Sequence, residues 1–597
     1  MGIYFYIYVS ERIRFENAMK ELLIGNAAIA RGLYEAGCKV VSSYPGTPST
    51  EITEFAAEYP ELYAEWAPNE KVACEVAIGA SIAGARAFCA MKHVGLNVAA
   101  DPLYTASYTG VSGGLVIGVA DDPGMFSSQN EQDTRRHAIG AKLPVLEPSD
   151  SEECLAFTKL AFELSEAFDT PVILRITTRV AHSRNPVELS DRVEVPNKPY
   201  EKNPQKYVMM PAMAKVRHEF VEERQKKLAA YGADCPFNRV EMADTKIGVI
   251  TSGISYQYVK EALGDRASVL KLGLTNPLPD SLILDFAAKV DKLYVVEELE
   301  DIIESRCRAL GLDVIGKEIF SLCGEYSHAM VKKAILGEEA ESVAFPEAIP
   351  GRPPVLCPGC PHRGLYYALK QAKVYVSGDI GCYTLGALAP LSSVDACVCM
   401  GASISGLHGF NKAEGDKNFD KAVAVIGDST FIHSGVTGLI NIAYNKGIST
   451  VIVLDNSITG MTGHQQNPTT GITLKGDPTA AVDLEALAKA VGIPNVRVVD
   501  PNELEATAAV IKEELARPEP SLIISRRPCA LLKTVKHAPP LSVDADTCRG
   551  CKACMKIGCP AISIRGGKAV VDATLCVGCG VCTQLCRFDA FKTREAR

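Results

Sequence analysis

No uninterrupted apolar run in this sequence approaches the ~20 residues that span a bilayer, which argues against a membrane protein. Basic charge is also short: 62 Lys and Arg against 71 Asp and Glu leave a net charge of −9, so no basic field offers itself to nucleic-acid phosphates. Tryptophan occurs once, and no tract is of low complexity. The opening MGIYFYIYVS is apolar but short, with neither a basic n-region nor a small-residue cleavage site, and does not read as a secretory signal. Cysteine, by contrast, is abundant. Fourteen of the twenty-one lie after residue 350, most of them in CxxC spacings. Secreted disulfide frameworks are short and signal-bearing, so the pattern points instead to metal ligation in a reducing, oxygen-averse cytoplasm.

At roughly 100–200 residues per domain, 597 residues imply three to five domains. The expected fold is α/β and multidomain. Met19-Lys20-Glu21 begins a clean βα pattern, leaving residues 1–19 as an extension with no assigned role. Residues 20–195 alternate β-branched runs (Lys39–Ser42, Gly114–Val119, Pro171–Ile176) with Ala-rich helical stretches such as Val72–Ala87. Residues 196–243 read as a polar linker with one exposed helix around HEFVEERQKK. A second α/β unit spans 244–345, with strands in KIGVITSG, ASVLKLG and KLYVVEE. After a Pro-rich boundary a third spans 346–537, with strands near 374–377, 422–427, 450–454 and 521–525. Beyond KHAPPLS lies a small cysteine-rich α+β domain, 541–597.

That last domain carries the one defensible internal repeat. Its first half reads Cys548-x2-Cys551-x2-Cys554-x4-Cys559, its second Cys576-x2-Cys579-x2-Cys582-x3-Cys586. Three cysteines at i, i+3 and i+6 wrap a loop around a cubane face, and the fourth ligand comes from the other repeat. The spacing predicts two [4Fe–4S] clusters of ferredoxin type, one on Cys548, Cys551, Cys554 and Cys586, the other on Cys559, Cys576, Cys579 and Cys582. Zinc, which also accepts four cysteines, is the alternative. Two departures from the ferredoxin pattern are the longer gap before Cys559 and Arg587 after the last cysteine.

In the third unit AVAVIGDSTF is a buried strand ending in Gly427-Asp428-Ser429. After twenty-five intervening residues Asp455-Asn456 ends the next apolar strand, TVIVLDNSITG. Two neighbouring parallel strands would present Asp428 and Asn456 side by side at their carboxyl ends, where α/β sheets bind ligands. Such oxygen donors suit Mg2+ bridging to phosphates. Gly427 would let the backbone approach a diphosphate, and a helix starting near Phe431 would offer its N–H groups. The pair resembles the GDG…NN signature of thiamine diphosphate enzymes, with Ser429 in place of the final glycine. That resemblance makes Asp428, Asn456 and the Ile458 carbonyl the Mg2+ ligands. It also calls for a glutamate on a separate pyrimidine-binding domain, doing general acid–base work on the cofactor ring. In NEKVACEVAIGASIAGARA both Glu70 and Glu75 qualify; the family's nine-residue spacing back from Gly79 selects Glu70. The competing reading of Glu70 is a solvated carboxylate in a helix first turn.

A thiamine site and a two-cluster ferredoxin domain on one chain resemble the 2-oxoacid:ferredoxin oxidoreductases. SSYPGTPSTEI (42–52) resembles that family's substrate-side YPxTPST loop, and GMTGHQQNPTT (460–470) its GxTGGQxSPTT loop. The domain order is pyrimidine-binding, transketolase-C-like, diphosphate-binding, ferredoxin. With PGTPSTEI and NEKVACEVA, it most resembles the large α subunits of the indolepyruvate branch. The resemblance implies oxidative decarboxylation of an aryl pyruvate with coenzyme A to arylacetyl-CoA and CO2, electrons going to ferredoxin. It also implies a small β subunit carrying a γ-type domain in an (αβ)2-type assembly. Related enzymes hold a further [4Fe–4S] cluster on CPGC, GIGC and PC strings. Here these are Cys357 and Cys360, Cys382, and Cys529, a third cluster by resemblance; buried structural thiols are the alternative. Lys92 to Asn97 and the YPGT loop are candidates for contacting substrate carboxylate or coenzyme A, although a satisfied structural histidine explains His93 equally well. Nothing in the spacing selects an aromatic substrate over pyruvate or 2-oxoglutarate. A non-oxidative thiamine decarboxylase and a non-catalytic electron-transfer subunit are the other readings.

Overall fold

A computed structural model gives the fold and describes residues 12–15, 18–341 and 347–593. The chain divides into two compact units, Met1–Phe345 and Pro346–Arg597. Residues 1–11 and 16–17 of the expected N-terminal extension lie outside the described residues. Within that extension Arg12–Phe15 pairs antiparallel with Ala18–Ile24, which pairs in turn with Arg184–Glu188.

The first unit is built on a seven-stranded sheet. Its strand order is Leu274–Asn276, Val145–Leu146, Val172–Thr177, Leu115–Asp121, Ala87–Lys92, Val40–Ser43, Tyr63–Trp66. All neighbours are parallel except the first pair. Apart from the edge strand Tyr63–Trp66, these strands are short and buried on both faces, which is why the central ones read as apolar runs rather than alternating ones. The helix Glu70–Ile82 stops short of the Ala87 expected for it. Gly84 explains the stop: it turns the chain at φ +91°, and a β-carbon there would stand 1.9 Å from the Lys198 carbonyl. The segment expected as a linker holds the helix Pro211–Asp234, of which Val221, Arg224 and Leu228 are buried. It also supplies Arg239–Glu241, the antiparallel edge of a four-stranded sheet whose other strands are Ser268–Leu272, Gly248–Ser252 and Leu293–Val296.

No clean seam separates residues 20–195 from 244–345. Leu274–Asn276 crosses into the larger sheet, and buried ion pairs tie the two sheets together. Arg135 bonds Asp133 and Glu297, each at 2.7 Å, and Arg175 bonds Asp121 and Glu147, each at 2.7 Å. Ser252 and Thr275 of the smaller domain both donate to Glu147. Removing one member of such a network would strand a buried charge, at a cost of about 3–5 kcal/mol.

The second unit carries a fully parallel six-stranded sheet. Its order is Ala396–Cys397, Tyr375–Gly378, Ala422–Gly427, Thr450–Asp455, Ser521–Arg526, Asn495–Val499. The first and last of these were not legible as strands, being short or partly polar. The helical run expected from Phe431 begins at Asp428 and continues to Tyr444, with a wider turn over Phe431–Gly435. The cysteine-rich domain consists of two antiparallel pairs, Leu541–Val543 with Phe591–Thr593 and Ile562–Arg565 with Lys568–Val571. It is fastened to the sheet domain by Gln584, which accepts from Leu504 N–H (3.0 Å) and donates to the Asn502 carbonyl (2.7 Å). Among the described residues no helix is long and apolar enough to cross a membrane.

Candidate functional site

Parallel pairing sets Gly427 opposite Leu454, so the chain leaves two adjacent strands with Asp428 and Asn456 at the same end of the sheet. Both side chains are buried, as is Ile458. With its amide turned so that Nδ2 faces inward, Asn456 donates to the Ile458 carbonyl (2.7 Å) and to Asp428 Oδ1 (3.3 Å). With Oδ1 inward, three oxygens face one another, which is the donor set of a hard divalent cation. The residues therefore fit a Mg2+ ion. Burial, reinforced by Asp455 nearby, pushes the Asp428 carboxyl up to about 7, so the site needs positive charge to keep it ionised at neutral pH. Gly427 makes room for the Tyr383 ring, which stands 2.6 Å from where a β-carbon would sit. Ser429 is buried at the first turn of the following helix.

The 460–470 loop folds back over this end of the sheet. Thr469 donates to Asp428 Oδ2 at 3.1 Å and is itself held by Asn467. On the same loop His464 Nε2 lies 3.8 Å from Cys529 Sγ, and a β-carbon on Gly460 would stand 3.5 Å from Cys382 Sγ. One loop thus touches both the carboxylate site and two of the four widely spaced cysteines. The Cys357 thiol acts on each of the other three, and Cys382 acts on Cys360. Burial pushes the Cys360 thiol up to about 12, with the Cys357 and Cys382 thiols adding to the shift. Burial raises Cys382 to about 11, helped by Cys357 and Cys529. Such thiols give up their protons to a metal, not to water.

In the cysteine-rich domain the thiols surround two cavities. Cys559, Cys576, Cys579 and Cys582 line the first; Cys548, Cys551, Cys554 and Cys586 line the second. Each cavity takes three cysteines from one repeat and the last from the other. Among the described residues no group of three or more Cys, His, Asp or Glu side chains is drawn together closely enough to hold a metal ion. Of the remaining nine cysteines six are buried, and Cys323, Cys397 and Cys399 are exposed.

In the first unit Glu70 opens the helix Glu70–Ile82, behind an Asn69 cap that accepts from Val72 N–H at 2.9 Å. Glu70 is 5% exposed and packs over Gly95 at the start of the helix His93–Thr109. Glu75 instead faces solvent and pairs with Lys71. The YPGT loop sits above Lys92: a β-carbon on Gly46 would meet the Lys92 side chain at 3.2 Å, and Ser127 reaches from Lys92 Nζ to the Thr47 carbonyl. Burial lowers the Lys92 ammonium to about 8, against the pull of Asp122. His93 is buried, with Nε2 at 3.2 Å from the Asn130 carbonyl.

Sequence reasoning passed over Thr469, Tyr383 and Asp379. Asp379 is buried and accepts from the N–H groups of Gly401 and Ser403, anchoring the helix Ala402–Ala413. Only its place after an apolar strand, in SGDIGC, signalled it.

Known proteins match the chain accordingly. Residues 31–241 match the family described as pyruvate flavodoxin/ferredoxin oxidoreductase, thiamine diphosphate-binding. Residues 379–525 match the C-terminal binding domain of thiamine pyrophosphate enzymes, and 569–592 a 4Fe-4S binding domain. The indolepyruvate oxidoreductase subunit IorA of Pyrococcus abyssi is 42% identical, covering 96% of this chain and 97% of its own. Its counterpart from Archaeoglobus fulgidus is 40% identical over 98% of this chain and all of its own. A solved 2-oxoglutarate:ferredoxin oxidoreductase from Magnetococcus marinus shares 19% identity with a TM-score of 0.45, covering 53% of this chain and 65% of that one. On the strength of relatives matched over nearly its whole length, the chain belongs to the family of indolepyruvate oxidoreductase IorA subunits, thiamine- and iron–sulfur-dependent oxidoreductases of the 2-oxoacid:ferredoxin type.

Proposed function

We propose that this chain is the catalytic large subunit of a cytoplasmic enzyme that oxidatively decarboxylates aryl pyruvates, indolepyruvate first among them. The products are CO2 and an arylacetyl-CoA, and two electrons leave singly to two molecules of ferredoxin. A small β subunit carrying a γ-type domain completes it in an (αβ)2-type assembly. Bound thiamine diphosphate supplies the electron sink for decarboxylation. Asp428, Asn456 and the Ile458 carbonyl hold Mg2+, and with Gly427 and Ser429 they seat the diphosphate. Glu70 holds a proton at its carboxyl, shielded from water by its burial, for exchange with the pyrimidine ring. Cys357, Cys360, Cys382 and Cys529 carry a cluster beside this site; the two cavities of the C-terminal domain carry the others.

The observation that carries this reading is the 460–470 loop, which touches Asp428 through Thr469 and Cys529 through His464. A carboxylate–amide cation site and a four-thiol site sharing one loop suit a reaction in which electrons are harvested where carbon dioxide leaves. The names of the matched relatives favour indolepyruvate. The test is an anaerobic assay of the co-expressed subunits with indolepyruvate, pyruvate and 2-oxoglutarate plus coenzyme A, following acyl-CoA and ferredoxin reduction together. Indolepyruvate turnover no faster than pyruvate would refute the substrate choice. Aldehyde release without reduction of a viologen would identify a non-oxidative decarboxylase.

A further inference from the structure

Arg363, the last residue of CPGCPHR, is 5% exposed, an unusual place for a guanidinium. Every hydrogen bond that holds it goes to a main-chain carbonyl. Nε donates to Cys357 (3.1 Å) and Nη2 to Leu356; Nη1 donates to Ile557 (3.2 Å) and Gly558 (2.5 Å). One pair of carbonyls leads into the CPGC loop, and the other immediately precedes Cys559 of the ferredoxin domain. The two segments are pressed together here. Gly359, at φ +71°, leaves no room for a side chain: a β-carbon would stand 2.2 Å from Val577, between Cys576 and Cys579. Gly558, at φ +68°, is also tightly packed: a β-carbon would stand 2.9 Å from Pro390 and 3.2 Å from Arg363 Nη1.

Neutral carbonyls satisfy the donors but leave the charge uncompensated, and burying an unpaired cation is costly. Arg363 shares the lining of one cavity with Cys360, Cys559, Cys576, Cys579 and Cys582 and bonds the Cys357 main chain, and thiols of both neighbouring cysteine sets act on its charge. As cluster ligands those sulfurs are thiolates, and each four-thiolate cluster is anionic, more so when reduced. The buried cation therefore finds its counter-charge in the loaded protein.

We propose that Arg363 is a positioning residue for electron transfer: its fixed charge raises the reduction potentials of the two clusters on either side of it, and its carbonyl bonds keep them adjacent. Arginine remains protonated throughout. Its charge favours the reduced, more negative state of both neighbours, and burial strengthens the effect. Arg363 lines the cavity of Cys559, Cys576, Cys579 and Cys582 but not that of Cys548, Cys551, Cys554 and Cys586, so the cluster there feels it least. An electron passed between the flanked clusters oxidises one and reduces the other, and leaves Arg363 unchanged. The inference rests on the proposed cluster at Cys357, Cys360, Cys382 and Cys529.

The experiment is an anaerobic redox titration of the co-expressed holoenzyme followed by electron paramagnetic resonance, with iron counted beforehand. About twelve iron atoms and three reducible centres in the unaltered enzyme support the underlying reading; about eight and two overturn that reading itself. Given three centres, R363M is expected to keep its iron and to lower two midpoint potentials while the third stays put. The expected shift is on the order of tenfold in the reduction equilibrium, about 59 mV for one electron. R363K is expected to recover most of it. Loss of iron in R363M but not in R363K also supports a role for the charge. Unchanged potentials in iron-replete R363M, or equal loss of iron in both variants, would overturn the proposal in favour of a purely mechanical clamp.

Discussion

Glu70 and Gly95 are in such close contact that a β-carbon on Gly95 would stand 2.6 Å from Glu70 Oε1. The absence of a side chain at 95 is what lets the carboxyl lie flat over the start of the helix His93–Thr109. Two variants separate the group from its placement. Glu70→Gln removes the carboxyl proposed to exchange the proton without changing its shape, and kcat is expected to fall by about 10²–10⁴-fold with thiamine diphosphate retained. Gly95→Ala keeps the carboxyl but displaces it, and displacement near 1 Å is enough for up to about 10²-fold. Cofactor content beside kcat decides: normal activity in Glu70→Gln would remove Glu70 from the chemistry.

Asp428→Ala and Asn456→Ala are expected to act on occupancy before they act on rate. Each deletes an oxygen from the set formed with the Ile458 carbonyl, and Asp428→Ala also releases Thr469. Thiamine diphosphate recovered from the denatured variants should fall at least about tenfold, and excess Mg2+ should restore it partly in Asn456→Ala. Iron content should not change. Full cofactor content in Asp428→Ala would move the diphosphate site elsewhere.

The candidate site was legible in the sequence only in part. Asp428 and Asn456 stood out because each ends an apolar run, and consecutive buried parallel strands bring such ends together. The cysteines stood out because ligand spacing is local. Thr469, Tyr383 and Arg363 did not, because their roles come from segments meeting across dozens of residues, and a lone Thr, Tyr or Arg has no periodicity to betray it. The same holds for Leu274–Asn276. Its three residues join a sheet whose other strands all lie before residue 180, an exchange that short-range pattern cannot foresee. The early end of the helix at Ile82 was visible in principle, since Gly84 is a helix-stop signal.

Cys382→Ser and Cys529→Ser ask whether the four scattered thiols hold a cluster at all. Their neighbourhood is established by packing alone, through His464, Gly460 and the thiols themselves. With a cluster there, either change should lower iron from about twelve to about eight per chain and abolish ferredoxin reduction. The signals of the two C-terminal centres should remain. Unchanged iron would return all four to the rank of buried structural thiols, with which Cys74 and Cys89 already stand.

Glu298 tests the electrostatics of the first unit away from any cofactor. Burial, with Glu325 adding to it, raises its carboxyl to about 7, against Arg175 and Lys317 and a bond from Tyr326 N–H at 2.8 Å. A carboxyl with a folded-state pKa above its unfolded value near 4.5 binds more protons folded than unfolded between those two values. The contribution of Glu298 to stability is therefore greatest below about pH 4.5 and is lost as pH rises toward 7. Glu298→Gln keeps the acceptor for Tyr326 and removes the titration. The variant is expected to melt near the wild-type temperature at pH 5 and above it at pH 8. At 1.36 kcal/mol per unit the gain is at most about 3 kcal/mol. The sign follows from which partners surround the group: Arg175 is already committed to Asp121 and Glu147, so Glu298 lacks a full counter-charge of its own. A variant less stable than wild type at pH 8 would mean that Arg175 depends on a charged Glu298 after all.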